Sequence, residues 1–437
     1  MIGIYIKNTL LTIITRILQL IFAIVTSIII ARVLGPEKKG IYTLAMLLPL
    51  LLINFTNLGI GPANVYYIGK RKYNINNIFG INIIFAIIIS LFTVIIGIFI
   101  IYFFSMNLFP RVEKNYLYLA LLIIPFNLFV SYTVNIFLGM QKIKKYNYVN
   151  LLQKILFLAL IIFLFIWLKC EVELALWANI LSYALISIIL FYNFKKELGK
   201  IIFETKKELL KNYFQYGIII NLTNILSFLH LRIDSFMLNL FLNPAAVGFY
   251  SISVALAEKL WIISQSAGTI LFPKVSSEND NIKIKNFTPI VCRNILMFSI
   301  IGSIALLFFG AKIIVLLYSK EYSASISSFK ILLIGIIAIS GASILSNDLS
   351  GRGKLRENMY INIFSIILNI ILNVILIPKF EIEGAAWATS VSYSLTFFMR
   401  LLVYSRTSGN NLKDIIFIQK SDFVLYKNLV YSLIGKK

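Results

Sequence analysis

The sequence predicts an all-α polytopic membrane protein with about twelve transmembrane helices in two parallel six-helix bundles. Three observations predict it: an apolar composition, apolar runs long enough to cross a bilayer, and a set of motifs that recurs at a nearly constant offset. Apolar residues make up 59 % of the 437 residues and charged residues only 14 %, where soluble chains carry about 25 % charged. Mean hydropathy is +0.88.

A transmembrane helix needs about 20 mostly apolar residues, and runs of that length follow one another along the chain. They lie near 9–33, 40–62, 78–105, 116–138, 147–168 and 174–194, then 213–241, 245–272, 288–317, 323–349, 358–378 and 384–405. The first run carries Arg16, exceeds the h-region of a secretory signal and lacks an A-x-A site, so it reads as a retained helix. Pro49 and Pro125 fall inside runs, where the missing N–H bends a helix. Each is read either as a hinge or as fixed curvature.

The formal charge of +23 would suggest nucleic acid in a soluble chain. Here the basic residues sort by loop. Alternate loops hold 18 of them, in groups such as Lys70, Arg71, Lys72 and Lys142, Lys144, Lys145, with the linker lysines from Lys195 to Lys211, including Lys206. The opposite loops hold seven, Lys38, Lys39 and Arg111 among them. Both tails, with Lys7, Lys436 and Lys437, join the richer side, so the positive-inside rule places both termini in the cytoplasm. The charge is a topological signal, and no nucleic acid is expected as a partner. Cys170 and Cys292 fall on opposite sides of this topology, so neither a disulfide nor a metal site is expected.

GPEKKGIY at 35–42 recurs as NPAAVGFY at 243–250, pairing Pro36 with Pro244, Gly40 with Gly248 and Tyr42 with Tyr250 at an offset of 208. GMQKIKKYNYVN at 139–150 matches GRGKLRENMYIN at 351–362, and WANILSY at 177–183 matches WATSVSY at 387–393. Three matches in one order indicate a duplication. Each copy holds about six spans, so the second enters the membrane with the orientation of the first, and a midplane cleft between parallel repeats is the expected site. The domains read as residues 1–207, a first six-helix lobe with a cytoplasmic linker; 208–406, a second lobe; and 407–437, a cytoplasmic amphipathic tail. In that tail Lys413, Lys420 and Lys427 recur at a spacing suited to a helix in the inner interface.

An ionisable group at bilayer depth costs about 2.5–3.5 kcal/mol on insertion scales and suggests function. Within the first six spans the internal charges are Arg16, Arg32 and Lys154, while Glu37, Glu113, Glu171 and Glu173 lie in loops. Arg16 therefore has no acid within the spans of its own lobe to neutralise it, and it reads either as a cavity cation awaiting an anion or as a side chain snorkelling to headgroups. Snorkelling suits Arg32 better. An arginine fork suits phosphate because it donates two parallel hydrogen bonds. The seventh span carries His230, Arg232 and Asp234, and the eighth carries Glu258 and Lys259. His230 and Glu258 stand at similar depth on either side of the turn near Pro244. A pair between Glu258 and Arg232 or His230 would serve either as a structural lock or in ion coupling, and Lys259 either joins that pair or faces the cavity.

The stretches ARVLGPEKKGIY at 31–42, LRIDSFMLNLFLNPAAVGFYSISVALAEKL at 231–260 and FPKVSS at 272–277 resemble the oligosaccharide flippase family, Wzx-like and tied to polysaccharide biosynthesis. This family belongs to the multidrug/oligosaccharidyl-lipid/polysaccharide superfamily. The resemblance implies the V-shaped MATE/MOP-like arrangement of two bundles, no enzymatic activity, no cofactor, and export of a polyprenyl-pyrophosphate-linked oligosaccharide across the cytoplasmic membrane. It also implies that Arg16 and Arg232 receive the pyrophosphate, and it matches Asp234 to an acidic position of the family. GPEKKG departs from relatives in its charge before the second glycine, which concerns the outer turn and not the cleft.

Two further classes stay open: a cation-coupled multidrug antiporter of the same superfamily, and a membrane scaffold. The resemblance carries the fact that such antiporters commonly use a first-lobe carboxylate, and this chain offers none within those spans. No G-x-x-x-x-G-K-[ST] loop occurs, so ATP is not expected to drive transport directly. The expected partners are the lipid-linked oligosaccharide, membrane lipids, and a glycan polymerase or glycosyltransferase complex. The candidate substrate residues are Arg16, Arg232 and Lys259; His230, Asp234 and Glu258 are the candidate coupling or structural group.

Overall fold

The computed structural model describes residues 2–70, 73–167, 171–203, 207–277, 281–420 and 422–423. Arg71, Lys72, Cys170, Lys206, Lys427, Lys436 and Lys437, used above for topology, disulfide and tail readings, lie outside them. The helices run α1 (Ile2–Thr56), α2 (Ile60–Gly69), α3 (Ile75–Leu108), α4 (Lys114–Leu121), α5 (Ile123–Gly139), α6 (Ile143–Trp167) and α7 (Val172–Leu198). There follow α8 (Lys207–Phe241), α9 (Pro244–Ser277), α10 (Asn281–Tyr318), a 3-10 turn at Lys320–Ala324, α11 (Ser325–Gly351), α12 (Leu355–Ser408) and α13 (Leu412–Ile416). No strand occurs among the described residues.

Nine helical stretches among the described residues are long and apolar enough to cross a membrane. Two of them are each a pair of helices joined at one residue. In α1 the joint is Gly35, at φ 71° and ψ 175°, a conformation open in practice only to glycine. Pro36 follows as the first residue of the second arm, where its fixed φ suits a helix start and its missing N–H costs nothing. In α12 the joint is Glu381, at φ 50° and ψ −128°. The predicted outer turns near 35–40 and 378–384 are thus single-residue kinks. Counting both arms of each, and adding α8 on the predicted seventh span, the helices follow the order of about twelve spans read from the sequence.

Other predicted spans are interrupted. The second ends at Thr56, and α2 restarts after Leu58 and Gly59 turn left-handed. The fourth breaks at Leu122 between α4 and α5. Pro125 lies in the first turn of α5 and has no N–H for the Leu121 carbonyl, which accounts for the break. Pro49, by contrast, sits inside an arm of α1 whose backbone stays helical.

The repeated turns pack against one another. A Cβ added at Gly40 would stand 1.7 Å from the Pro244 carbonyl oxygen, and one at Gly248 would stand 2.0 Å from that of Pro36. Each copy presents its glycine, four residues after its proline, to the carbonyl of the other copy's proline. Asn243 caps the second copy, its Oδ1 accepting from the Ala246 N–H at 2.9 Å.

The chain forms two compact units, residues 1–232 with 242–248 and residues 233–241 with 249–437. In the first unit Phe79, Phe137 and Phe194 stack at 4.5–4.7 Å within a core that includes Ile78, Ile136, Ile186 and Leu190. In the second, Leu271, Cys292, Leu345, Leu401 and Tyr404 pack together, and Ile415 of α13 inserts among them. Both units bury polar groups and expose apolar ones. On α3, Asn82, Ser90 and Thr93 are buried while Ile87, Ile88, Leu91, Phe92 and Ile95 are exposed, the pattern expected where lipid replaces water as solvent.

α13 places Lys413 on a helix, but the chain turns extended at Phe417, before Lys420. A buried ion pair fastens this segment: Arg293 of α10 donates from Nη2 to Asp422 Oδ1 at 2.6 Å and from Nε to Oδ2, and its Nη1 reaches the Asp414 carbonyl at 3.0 Å.

Candidate functional site

The first unit contains a cavity of about 280 Å3 lined by residues of α1, α5, α6 and α7, with Val130, Val134 and Val149 among its polar groups. Asn127, Ser131 and Asn135 lie four residues apart on α5, so helical geometry puts all three on one face. Asn150, Gln153 and Lys154 use the i, i+3, i+4 spacing of α6 in the same way. Gln19 of α1 and Tyr183 of α7 complete the polar wall, and none of the lining residues is acidic. The amides are held by their own helices: Asn135 Nδ2 donates to the Ser131 carbonyl at 2.7 Å and Asn150 Nδ2 to the Tyr146 carbonyl at 2.9 Å. Gln153 Nε2 donates to Ser182 Oγ at 3.2 Å.

Lys154 is the one charge on this wall. It is half-buried, and among the described residues no carboxylate lies within salt-bridge distance of its ammonium. An ammonium on a wall of neutral dipoles gives the cavity a net attraction for anions.

Arg16 lies on α1 three residues before Gln19, on the same side of the helix as that cavity residue. It is exposed, with Ile14, Ile17 and Ile21 exposed beside it, and no carboxylate pairs with it among the described residues. Arg32 is exposed as well. Lys39, assigned to an outer loop from the sequence, is 8 % exposed, its Nζ 5.1 Å from the Tyr42 ring centroid, a cation–π contact. Arg232 of α8 is half-buried and donates to the Leu231 carbonyl at 3.2 Å. His230 is buried, and Glu258 and Lys259 of α9 are half-buried.

Asp234 anchors a second constellation, inside the second unit. Its side chain is 3 % exposed. Asn373 Nδ2 donates to Oδ1 at 2.7 Å, while Thr389 Oγ1 at 2.6 Å and the Tyr250 hydroxyl at 3.2 Å donate to Oδ2. Asn373 Nδ2 also reaches Asn369 Oδ1 at 2.9 Å. These hydrogen-bond donors are all neutral. Asn373 Oδ1 is buried without a partner, as are both polar atoms of Asn239 on the same helix as Asp234. Asp234, Asn369, Asn373 and Thr389 therefore gather side-chain oxygens, the donor set of a hard cation. No group of three or more His, Cys, Asp or Glu suited to a metal ion occurs among the described residues.

The duplication explains how this constellation is supported. Tyr250 contacts Thr389 at 3.0 Å in the second unit, and in the first unit Tyr42, its repeat counterpart, accepts from Asn179 at 3.3 Å. The offset of 208 puts Thr26 in the place of Asp234, and Thr26 is buried, bonded to the Phe22 carbonyl at 2.8 Å. One scaffold, used twice, carries a carboxylate in the second unit only.

A family model described as "Polysaccharide biosynthesis protein" matches residues 5–278. The chain belongs to this polysaccharide biosynthesis protein family. Curated proteins that it resembles include a Methanocaldococcus jannaschii membrane protein, 26 % identical over 250 residues, covering 56 % of this chain and 47 % of that one. A Shigella flexneri protein named for O-antigen transport is 24 % identical over 201 residues, covering 45 % of this chain and 47 % of that protein. The chain thus spans about half the length of the curated relatives it matches.

Among solved structures, an inward-facing multidrug resistance MATE family transporter of the MOP superfamily superimposes with a TM-score of 0.75 at 16 % identity, over 90 % of this chain and 94 % of that one. The lipid II flippase MurJ in an inward closed conformation gives 0.74 at 17 % identity, over 94 % and 89 %. The fold is the all-α polytopic fold of these structures, and the family member is a multi-pass membrane protein.

Proposed function

We propose that this family member carries polyprenyl-pyrophosphate-linked oligosaccharide across the cytoplasmic membrane by alternating access of a basic cleft. One observation carries this reading. The cavity of the first unit presents the Lys154 ammonium and no acid on its lining, the sign that favours an anionic lipid-linked oligosaccharide over a cationic drug. A cation-coupled multidrug antiporter, the other reading of this fold, needs the opposite sign on such a wall.

Arg16, Arg232 and Lys259 are the proposed contacts for the pyrophosphate, the two arginines by bidentate hydrogen bonding. Asp234 is the proposed coupling residue, where a proton or sodium ion is taken up among Asn369, Asn373 and Thr389; His230 and Glu258 are further candidates for that task. Both termini are placed in the cytoplasm, and a polymerase or glycosyltransferase complex is the proposed assembly. The protein acts without chemistry on its substrate.

The experiment is a flip assay in reconstituted vesicles with a fluorescent polyprenyl-pyrophosphate disaccharide, scored by the fraction of label protected from an impermeant quencher. Time-dependent movement that Arg16→Glu removes supports the reading, and movement no faster than in protein-free vesicles ends it.

A further inference from the structure

The cavity beside Lys154 has a composition that a pyrophosphate does not explain. A pyrophosphate carries more than one negative charge, and in a partly desolvated pocket each needs its own cation or a dense set of donors. This pocket offers one ammonium. The other polar groups on its wall are amides and hydroxyls, those of Asn127, Ser131, Asn135, Asn150 and Gln153 among them, while Val130, Val134 and Val149 supply an apolar side against which a sugar ring's C–H face can rest. Side-chain amides both donate and accept, which matches the vicinal hydroxyls of a sugar ring, whose oxygens also do both. The size agrees, since about 280 Å3 lies at the lower edge of the roughly 300–1,000 Å3 of small-molecule sites, suited to a single ring.

We propose that this cavity is a glycan subsite that seats one acidic sugar, a hexuronate, with its carboxylate on Lys154 and its hydroxyls on the amides of α5 and α6. The assignment rests on the flippase reading for its physiological substrate, but the pocket chemistry stands on this unit alone. The amides are held in place by hydrogen bonds to their own helices and to Ser182. Such pre-organisation lowers the entropy lost on binding. Lys154, whose ammonium has no carboxylate partner among the described residues, gains one from the ligand.

Two measurements on the full chain test this. In the first, methyl glucuronide and methyl glucoside are titrated calorimetrically into detergent-purified protein, for the wild type, Lys154→Gln and Lys154→Arg. The glucuronide is expected to bind the wild type, to bind Lys154→Gln roughly tenfold more weakly through loss of a charge-assisted bond, and to recover in Lys154→Arg. Binding of the two sugars with equal affinity, or of neither, overturns the subsite, as does glucuronide binding indifferent to Lys154→Gln.

In the second, vesicles receive two polyprenyl-pyrophosphate disaccharides that differ only in a terminal glucuronate or glucose. The ratio of their flip rates should exceed one for the wild type and fall toward one in Lys154→Gln. A ratio equal in both proteins overturns the proposal. If neither lipid moves while the glucuronide binds through Lys154, the subsite stands and the flippase reading falls. If both lipids move but no glucuronide binds, the flippase reading stands and the subsite falls.

Discussion

Gly40 rests against the backbone of Pro244, and Gly248 against that of Pro36, so closely that a single added methyl would stand 1.7 Å and 2.0 Å from the two proline carbonyl oxygens. The contact gives a physical reason for the duplicated turn, because both copies must lack a side chain where they meet. Gly40→Ala and Gly248→Ala are each expected to destabilise by about 1–3 kcal/mol or more, the range for overpacking. Because the two sites share one contact, the double variant should lose less than the sum. Thermal unfolding in detergent measures this, and alanine variants as stable as the wild type would show that the contact yields easily.

The Asp234 constellation predicts a separation of stability from coupling. Tyr250→Phe and Asn373→Ala each remove a neutral donor from a carboxylate, at a cost of about 1.5–3 kcal/mol for a charged acceptor. Asp234→Asn keeps the shape of the group and removes its charge. That variant should fold while its transport loses dependence on sodium or on pH, whichever drives the wild type. Flip rates measured across sodium concentrations at fixed pH, and across pH without sodium, tell the two ions apart, and an Asp234→Asn protein with wild-type ion dependence would leave this residue a purely structural role.

At the C-terminal tail, burial pushes the Asp422 carboxyl upward, but the Arg293 hydrogen bonds, the Gln419 N–H and the Arg293 charge outweigh it and hold the group below its ordinary range. A depressed acid contributes stability above its unfolded value of about 3.9 and loses it as pH falls through the lower folded value. The tail should therefore stay docked through neutral and mildly acidic pH and loosen only below about 3.9. Arg293→Ala should loosen it at neutral pH, seen as faster amide exchange around Ile415. Exchange there that is unchanged by the substitution would mean that the apolar seat of Ile415 suffices.

For the substrate path, Arg16→Glu should abolish flipping with expression retained, and Arg16→Lys should keep part of the activity because the charge remains while the fork is lost. Equal rates in the wild type and both variants would remove Arg16 from the path.

Much of this architecture could be read directly. Apolar runs of about 20 residues or more are set by bilayer thickness, so the spans near 78–105 and 288–317 correspond to α3 and α10. Single-residue events could not be read. Gly35 and Glu381 were expected within longer turns, because hydropathy averages over windows and does not register one backbone dihedral. Lys39 falls between the apolar runs at 9–33 and 40–62 and so reads as a loop residue, although the Tyr42 ring and the surrounding packing bury it.

At the site, Asp234 and Arg16 stood out as charges in apolar runs, whereas the oxygens around Asp234 come from residues 139 and 155 positions away. That separation leaves no local pattern. Lys154 was visible as an internal charge, but its place beside Asn127 and Asn135 depends on how α5 meets α6. The i, i+4 amide spacing on each helix was the available signal.

The most direct test of the central claim is a paired measurement in one vesicle preparation: flipping of a polyprenyl-pyrophosphate disaccharide and efflux of a lipophilic cationic dye. The account predicts that a lipid whose disaccharide ends in glucuronate moves, that Arg16→Glu abolishes this movement and Lys154→Gln slows it, and that the dye is not exported. Dye export driven by an ion gradient, with the lipid unmoved, would contradict it.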